Sequence, residues 1–301
     1  MTGTEQLREF AASQHCAFKE GEPLCAYTTF HIGGPAALML FPSDGEMFRS
    51  LIAFCAKQNI HFFVLGKGSN LLISDDGLPY PVICTDRMQQ CLRVSDTQIR
   101  CDAGVPLVKL CRTACVDGLS GLEFAYGIPG SVGGAVYMNA GAYGGEMRDV
   151  LSSVTTVNMQ GEIEEMPVET LSLGYRNSIF QAELLFVLSA TVRLTPDATD
   201  AVRARMEDFM ARRKEKQPLN FPSAGSAFKR PEGHFAGALI EQCGLKGYSV
   251  GGAQVSEKHA GFIVNRGGAS AQDVLQLVDH IRSTVLRETG VLLEPEVKWI
   301  G

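Results

Sequence analysis

The sequence lacks the long apolar run that a spanning helix needs, roughly eighteen residues. Its longest apolar stretches, such as "HFFVLG" and "PVIC", are far shorter. The start, "MTGTEQLREFAASQHC", is polar and charged where a secretory leader would carry a basic end and then an apolar run, so no export is expected. Positive charge is not in excess either. A net charge of −6 gives no global electrostatic reason to bind nucleic acid or an anionic membrane, so any anionic ligand must be held by a local site. CxxC pairs are missing, and nine cysteines is an odd count, which fits a reduced, cytoplasmic setting better than a disulfide framework. Cys111 and Cys115 are four apart and share an expected helix face, but no histidine lies near them in sequence to complete a metal shell. The cysteines read as small buried hydrophobes, and no metal site is expected. Internal repeats and low-complexity tracts are also lacking.

What is present is an ordinary globular composition, 45% hydrophobic and 20% charged, in a chain of 301 residues that exceeds one average domain. From residue 36 the order reads as strand "ALMLFP", helix "SDGEMFRSLIAFCAKQN" and strand "HFFVL", then the turn-rich "GKGSN" and "DDG" around a short "LLIS" strand. Ser43 is the expected cap of that helix, with Glu46 at capping-box spacing. Beyond residue 81 come "PVICTD", a hairpin in "CLRVSDTQIRCDAG" around "SDTQ", and a helix from about Pro106 to Val116, with Pro106 in the first turn. A second hairpin follows around Gln160 and Gly161, and "LLFVLSATVRL" adds a strand, so this middle region reads as α+β and mainly antiparallel. At "TPDATDAVRARMEDFMARRKEKQP" the pattern turns helical and charged, ending at Pro218. A late helix, "SAQDVLQLVDHIRSTVLRETG", sets Val274, Leu277, Val278, Ile281 and Val285 on one face and closes at Gly290. The strand "VLLEPEVKWI" ends the chain, and along it Glu294 and Glu296 are expected to face the same way. Three parts are expected: 1–85, with the terminal strand at about 291–301 able to pack back on it, then 86–198 and 199–301.

Two glycine-rich stretches carry the chemical signal. "LGKGSN" follows a strand, and its glycines let backbone N–H groups approach a phosphate closely. It is not a P-loop, because His61 stands where that motif needs its first glycine and Gly68 stands where it needs Ser or Thr. The second stretch, "YGIPGSVGGAVYMNAGAYGGEM" at 126–147, holds seven glycines, yet "GIPGSVGGA" lacks GxGxxG spacing and the acidic ribose partner, so a nicotinamide Rossmann fold is not expected. Each loop has serine and asparagine nearby, Ser69 with Asn70 and Ser131 with Asn139, which suits wrapping a pyrophosphate from two sides. Plain turn chemistry is the alternative for either loop alone.

The segments "TTFHIGGPA", "LGKGSNLLISDDG", "GLEFAYGIPGSVGGAVYMNAGAYGGEM", "YRNSIF", "AGSAFKRP" and "LEPEVKWIG" occur in this order from about residue 25 to the end. Together they resemble the successive motifs of the UDP-N-acetylenolpyruvoylglucosamine reductase family of bacterial peptidoglycan-precursor enzymes. The resemblance implies an α+β fold: a vanillyl-alcohol-oxidase-like (PCMH-type) FAD-binding region in two parts, 1–85 and 86–198, followed by an α+β substrate-binding domain at 199–301. It implies non-covalent FAD held by Gly66, Lys67, Gly68, Ser69 and Asn70 on one side. On the other stand Gly127, Pro129, Gly130, Ser131, Gly133, Gly134 and Asn139. Neutral N–H groups can hold a diphosphate without lysines, so the acidic net charge is no objection.

The family passes hydride from the co-substrate NADPH through the flavin to the vinyl carbon of UDP-N-acetylglucosamine enolpyruvate, and the carbon next to the carboxylate is then protonated. By resemblance Arg176 in "GYRNSIF" holds the substrate carboxylate and spreads the enolate charge, a task its planar fork suits. Ser226 in "AGSAFKRP" supplies the proton, and Glu296 in "EPEVKW" acts with Arg176 on the enolate, most usefully as a protonated donor. Lys216, Lys229 and Arg230 offer local positive charge to the UDP-sugar diphosphate, with a solvated basic helix end as the alternative, and His259 falls at a substrate-facing position. The chain between "YRNSIF" and the helix near Asp200 is too short for the tyrosine-bearing insertion of one subtype, so it resembles the subtype lacking it. The expectation is a cytoplasmic bacterial enzyme with no nucleic-acid or membrane partner, most simply a monomer. A related flavin-dependent sugar or alcohol oxidase, or a nucleotide-binding module without catalysis, are the competing readings.

Overall fold

The computed structural model describes residues 2–301, and contacts divide the chain into two compact units built from interleaved segments. The first comprises, of the described residues, 2–20, Leu38–Lys67 and Tyr80–Ala211, and the second Gly21–Ala37, Gly68–Pro79 and Arg212–Gly301. No helix among the described residues is long and apolar enough to cross a membrane.

In the first unit, strand Val82–Cys84 pairs in parallel with Pro35–Phe41 on one side and Phe63–Leu65 on the other, setting Met39 and Phe63 opposite Val82. All three residues of Val82–Cys84 are buried, as the interior of a parallel sheet requires. Helix Gly45–Lys57 contributes Phe48, Leu51, Ile52 and Cys55 to the core beside Leu38, Leu40 and Ile83. The cap of this helix is Asp44, not Ser43. The Asp44 carboxylate accepts the Met47 N–H at 2.9 Å, while the Ser43 hydroxyl donates to Asp44. Either side chain can cap, and the extended backbone at Asp44 places its carboxylate over the free N–H groups.

The same unit holds a five-stranded antiparallel sheet in the order Ile163–Pro167, Leu151–Asn158, Leu185–Arg193, Gln98–Asp102, Cys91–Arg93. The "SDTQ" and Gln160-Gly161 hairpins are its two outer pairs, and Gly161 takes φ +80° in the turn. Helix Leu107–Val116 packs Leu107, Leu110, Cys111, Ala114 and Cys115 into the adjoining core. Pro106 is its N-cap rather than its first helical residue, with extended ψ of 136°. The amino end of Thr199–Lys216 is tied to this unit by Arg205, whose guanidinium bonds the buried Glu123 carboxylate at 2.8 Å and Asp197. Burial pushes the Glu123 carboxyl up, but Arg205, the Gly121 N–H and the Ser120 hydroxyl outweigh it and hold it below its ordinary value.

The second unit has its own core, formed by Phe30, Ile32, Ile240, Leu277, Ile281 and Leu293 among others. Its long helix, Ala271–Thr289, is capped by a reciprocal Ser270–Asp273 box and stopped by Gly290 in the left-handed region. The Asp75 carboxylate also accepts the Ala271 N–H at 2.9 Å. Val274, Leu277, Ile281 and Val285 are buried on one face of this helix, with Val278 partly so. Ser249–Val250, Ala253–Val255 and Ile263–Asn265 make a small antiparallel sheet. The terminal strand is only Lys298–Ile300, paired in parallel with Leu71–Ile73. Glu294 and Glu296, expected on one face, have different surroundings: Glu294 is exposed and paired with Lys229, whereas Glu296 is 9% exposed. Pro295 between them has no N–H to give a ladder, and the segment makes an isolated antiparallel bridge to Phe228 instead of a continuous strand.

Candidate active site

In the first unit the two glycine stretches meet. Gly66 follows strand Phe63–Leu65, and a Cβ placed on it would lie 2.5 Å from the Ser131 hydroxyl, so only a bare residue fits there with that side chain in place. Ser131 is buried and caps the short helix Val132–Tyr137, its hydroxyl accepting the Gly134 N–H at 3.3 Å. The Gly133 N–H bonds the Ala103 carbonyl at 2.8 Å, and a Cβ at Gly133 would come within 2.9 Å of the Ala103 Cβ. The Val132 N–H bonds the Val105 carbonyl. The donors this loop can turn to a ligand therefore belong to residues before Val132, with Pro129 and Gly134 exposed. Lys67 is not a bare cation, since its ammonium is bonded to the Asp86 carboxylate.

Asn139 is the hub of this region. It is 1% exposed with φ +42°, its amide donates to the Gly174 carbonyl at 3.0 Å, and its side-chain oxygen accepts the Arg148 N–H at 2.9 Å. Its side chain is thus committed to the protein. Gly174 and Asn177 bond each other's backbone and close a tight turn with Tyr175 and Arg176 at its tip. Arg176 has φ +52°, a left-handed conformation that disfavours residues with a Cβ and costs about 1–2 kcal/mol. The turn is held from outside by Ser178, which donates to the Tyr137 carbonyl at 2.7 Å, and by the Gln181 amide on the Arg176 carbonyl at 2.9 Å. The guanidinium is steered by the Gly141 carbonyl at 3.4 Å and lies 5.3 Å from the centre of the Tyr175 ring. Asn139, Ser178 and Gln181 as supports of Arg176 were not read from the sequence. The single cue there was the crowding of polar side chains around "YRNSIF".

In the second unit Ser226 and Glu296 are neighbours. Ser226 bridges Phe262 across an antiparallel pairing, the Ala227 N–H bonds the Gly261 carbonyl at 2.8 Å, and the Glu296 N–H bonds the Ala227 carbonyl at 2.9 Å. Asn70 joins the cluster, its amide donating to the Glu296 carbonyl at 3.1 Å and its carbonyl accepting the Lys298 N–H. Gly68 sits just before it at φ +57°, where a Cβ would fall 2.3 Å from the Tyr27 carbonyl oxygen. His259 packs edge-on to Phe262 with its Nδ1 accepting the Gly261 N–H at 3.1 Å, and burial holds the ring below its ordinary pKa. Ser226 and His259 thus meet at Gly261 and Phe262, just before strand Ile263–Asn265, and Glu296 joins them through Ala227. Lys229 and Arg230 line a different feature, a depression of about 450 Å³ with His234, Glu232, Leu292 and Glu294. Lys229 is paired with Glu294 there, and the Arg230 guanidinium lies 4.0 Å from the Phe235 ring centre. Lys216 is exposed in the last turn of Thr199–Lys216.

The arrangement offers bare main chain where Gly66 meets Ser131 in one unit, and in the other it sets Ser226 next to Ala227, the carbonyl of which accepts the Glu296 N–H. Comparison with known proteins is consistent with both. Residues 36–167 match the FAD binding domain family, and residues 217–300 match the C-terminal domain of UDP-N-acetylenolpyruvoylglucosamine reductase. The chain is 47% identical over 283 residues to the UDP-N-acetylenolpyruvoylglucosamine reductase of Syntrophomonas wolfei, covering 94% of this chain and 95% of that one. It is 47% identical over 310 residues to that of Agathobacter rectalis, covering 99% and 96%. The crystal structure of the corresponding Thermus caldophilus reductase is similar with a TM-score of 0.79 at 36% identity, covering 95% of this chain and 99% of that one.

Proposed function

Because the chain belongs to the UDP-N-acetylenolpyruvoylglucosamine reductase family, we propose that it reduces UDP-N-acetylglucosamine enolpyruvate to UDP-N-acetylmuramate at the expense of NADPH, in the bacterial cytoplasm. It is an FAD-dependent oxidoreductase of peptidoglycan-precursor synthesis with the vanillyl-alcohol-oxidase-like cofactor fold. The observation that carries the reading is the meeting of Gly66 with Ser131, which joins two glycine loops separated by over sixty residues. The N–H groups of Gly66 to Asn70 and of Gly127, Gly130 and Ser131 would hold the pyrophosphate, Pro129 would shape the turn, Gly133 and Gly134 would give the close approach, and Asn139 would fix the loop. When bound, FAD supplies the two-electron relay between the nicotinamide and the enolpyruvyl double bond.

The chain's own residues supply the rest. Arg176, its backbone strained into place by the Gly174–Asn177 turn, would bind the substrate carboxylate through a planar fork and offset the charge that develops as the double bond is reduced. Ser226 would hand its hydroxyl proton to the carbon beside that carboxylate, and Glu296, buried and anchored by its backbone to Ala227, would orient and stabilise the same group. Lys216, Lys229, Arg230 and His259 would bind the rest of the UDP-sugar. The three-part division at residues 85 and 198 describes these roles: two cofactor-binding parts and one for substrate.

The test is product identity. Purified enzyme given NADPH and the enolpyruvyl UDP-sugar should convert it to a product heavier by two hydrogens, about 2 Da, identified by mass and by comparison with UDP-N-acetylmuramate. NADPH-independent oxygen consumption on sugars, with the enolpyruvyl compound untouched, would overturn the reading.

A further inference from the structure

Nine cysteines are free thiols, and two of them face each other. Cys91 and Cys101 occupy opposite positions in the hairpin of strands Cys91–Arg93 and Gln98–Asp102, with their sulfurs 2.8 Å apart. The Asp102 N–H bonds the Gln90 carbonyl, which makes Cys91 and Cys101 a non-hydrogen-bonded pair of the ladder. Facing Cα atoms of such a pair lie about 4.5 Å apart, within the range of about 4.4–6.8 Å that a disulfide spans. Both side chains point toward helix Leu107–Val116, Cys101 into the core and Cys91 half-exposed at its edge.

From this geometry we propose that Cys91 and Cys101 are a reversible cross-strand disulfide site, closed by a peroxide and opened by a thiol reductant. Cys91 reacts first because solvent reaches it. Its sulfur attacks one peroxide oxygen and breaks the O–O bond, giving Cys91 sulfenic acid and one water. The Cys101 sulfur then attacks the Cys91 sulfur, the S–O bond breaks, and a second water leaves with the Cys101 proton, so two thiols and one peroxide give a disulfide and two waters. The chemistry at Cys91 is favoured by its surroundings: the Cys101 thiol, the Thr113 hydroxyl and the Lys109 ammonium all favour its thiolate against the cost of burial. Most other cysteines lack this. Burial pushes Cys55 up to about 12 and Cys84 up to about 11, and holds Cys111 above its ordinary value. A transient bond is compatible with a reducing compartment, where disulfides form and are reversed as redox signals. Cys101 lies two residues before Ala103, the carbonyl of which holds the Gly133 N–H, so oxidation would tie down the strand next to a support of the glycine loop.

The experiment uses the FAD-loaded enzyme exposed to hydrogen peroxide, quenched with an alkylating reagent, and analysed by intact mass and peptide mapping. The expected result is loss of two alkylatable thiols per unfolded chain, a peptide pair joined through Cys91 and Cys101 with a mass about 2 Da below the sum of the two unalkylated peptides for the two hydrogens removed, and full reversal by dithiothreitol. Cys91→Ser should lose the cross-link, while Cys55→Ser should keep it. Should either variant fail to fold, the map of the native enzyme decides alone. Peroxide that leaves both thiols alkylatable, oxidises Cys91 to sulfinic acid without a cross-link, or joins a different pair would overturn the proposal.

Discussion

Adding one methyl group at Gly66 should cost stability only through Ser131. Gly66 has no positive φ, so alanine can take its backbone conformation without strain. Its new Cβ would sit 2.5 Å from the Ser131 Oγ, and the next atom met is the Ser131 Cβ at an ordinary 3.7 Å. The hydroxyl must therefore turn away, and in turning it releases the Gly134 N–H that it caps at 3.3 Å. Loss of such a cap is worth about 0.5–2 kcal/mol, with the lower half expected because Gly134 is exposed and water can take its N–H. For a unit of this size about 1 kcal/mol lowers Tm by about 2–4 °C. Ser131→Ala loses the same cap without a clash, so Gly66→Ala, Ser131→Ala and the double variant should all fall by about the same amount. That gives a coupling of about 1 kcal/mol in a double-mutant cycle. Thermal unfolding of the FAD-free proteins by circular dichroism measures it. FAD titration of the same set should show Gly66→Ala weakened by about tenfold, equivalent to about 1.4 kcal/mol of lost loop contact. Additive falls in Tm would show that Gly66 and Ser131 act independently and would refute the meeting of the loops.

Ser226→Ala should leave flavin reduction by NADPH near normal while slowing reoxidation by the enolpyruvyl UDP-sugar by about 10²–10⁴-fold, the usual worth of a positioned proton donor. Stopped-flow absorbance resolves the two half-reactions, and equal slowing of both would remove Ser226 from that role. The Glu123 carboxyl is held below its unfolded value of about 4.3, so its contribution is fully present above that pH and is lost as pH falls through the folded value. Arg205→Met should cost about 1–3 kcal/mol at pH 7, since a buried carboxylate loses its charged donor, and should begin acid unfolding at higher pH. An unchanged acid limb in a pH series of urea melts would contradict this. His259 is held by burial below its unfolded value of about 6.5, so the folded state favours the neutral ring, and stability declines as pH falls from about 6.5 toward the folded value. His259→Gln should flatten that decline. A variant with the same slope as the native protein would assign it to another group.

Local signals carried much of the fold. The helix Ala271–Thr289 was readable because its apolar residues recur at helical spacing and Gly290 supplies the left-handed stop. The two hairpins were readable because each has a short turn sequence between runs of strand formers. The Asp44 cap was not, since Ser43 and Asp44 are both able to cap and backbone angles decide between them. The return of the terminal strand to the 1–85 part was legible, but its pairing with Leu71–Ile73 in particular joins residues more than two hundred apart, with nothing local to mark the register. In the candidate site, glycine, serine and asparagine mark the two loops in the sequence, but a sequence does not show that Gly66 touches Ser131. Nor does it show that the Asn139 amide is spent on Gly174 and Arg148, or that Arg176 is forced to φ +52° by the turn it sits in. Such facts depend on which distant backbone groups remain to be satisfied after the chain has packed.

The most direct measurement is the visible spectrum of the purified, FAD-loaded enzyme under anaerobic conditions, first with NADPH and then with the enolpyruvyl UDP-sugar. A flavin absorbance that bleaches on the first addition and returns on the second is the expected result, because donor, cofactor and acceptor are then joined in one cycle. Protein that takes up no FAD, or a bleached flavin that the enolpyruvyl UDP-sugar leaves unchanged, would contradict the proposed reaction.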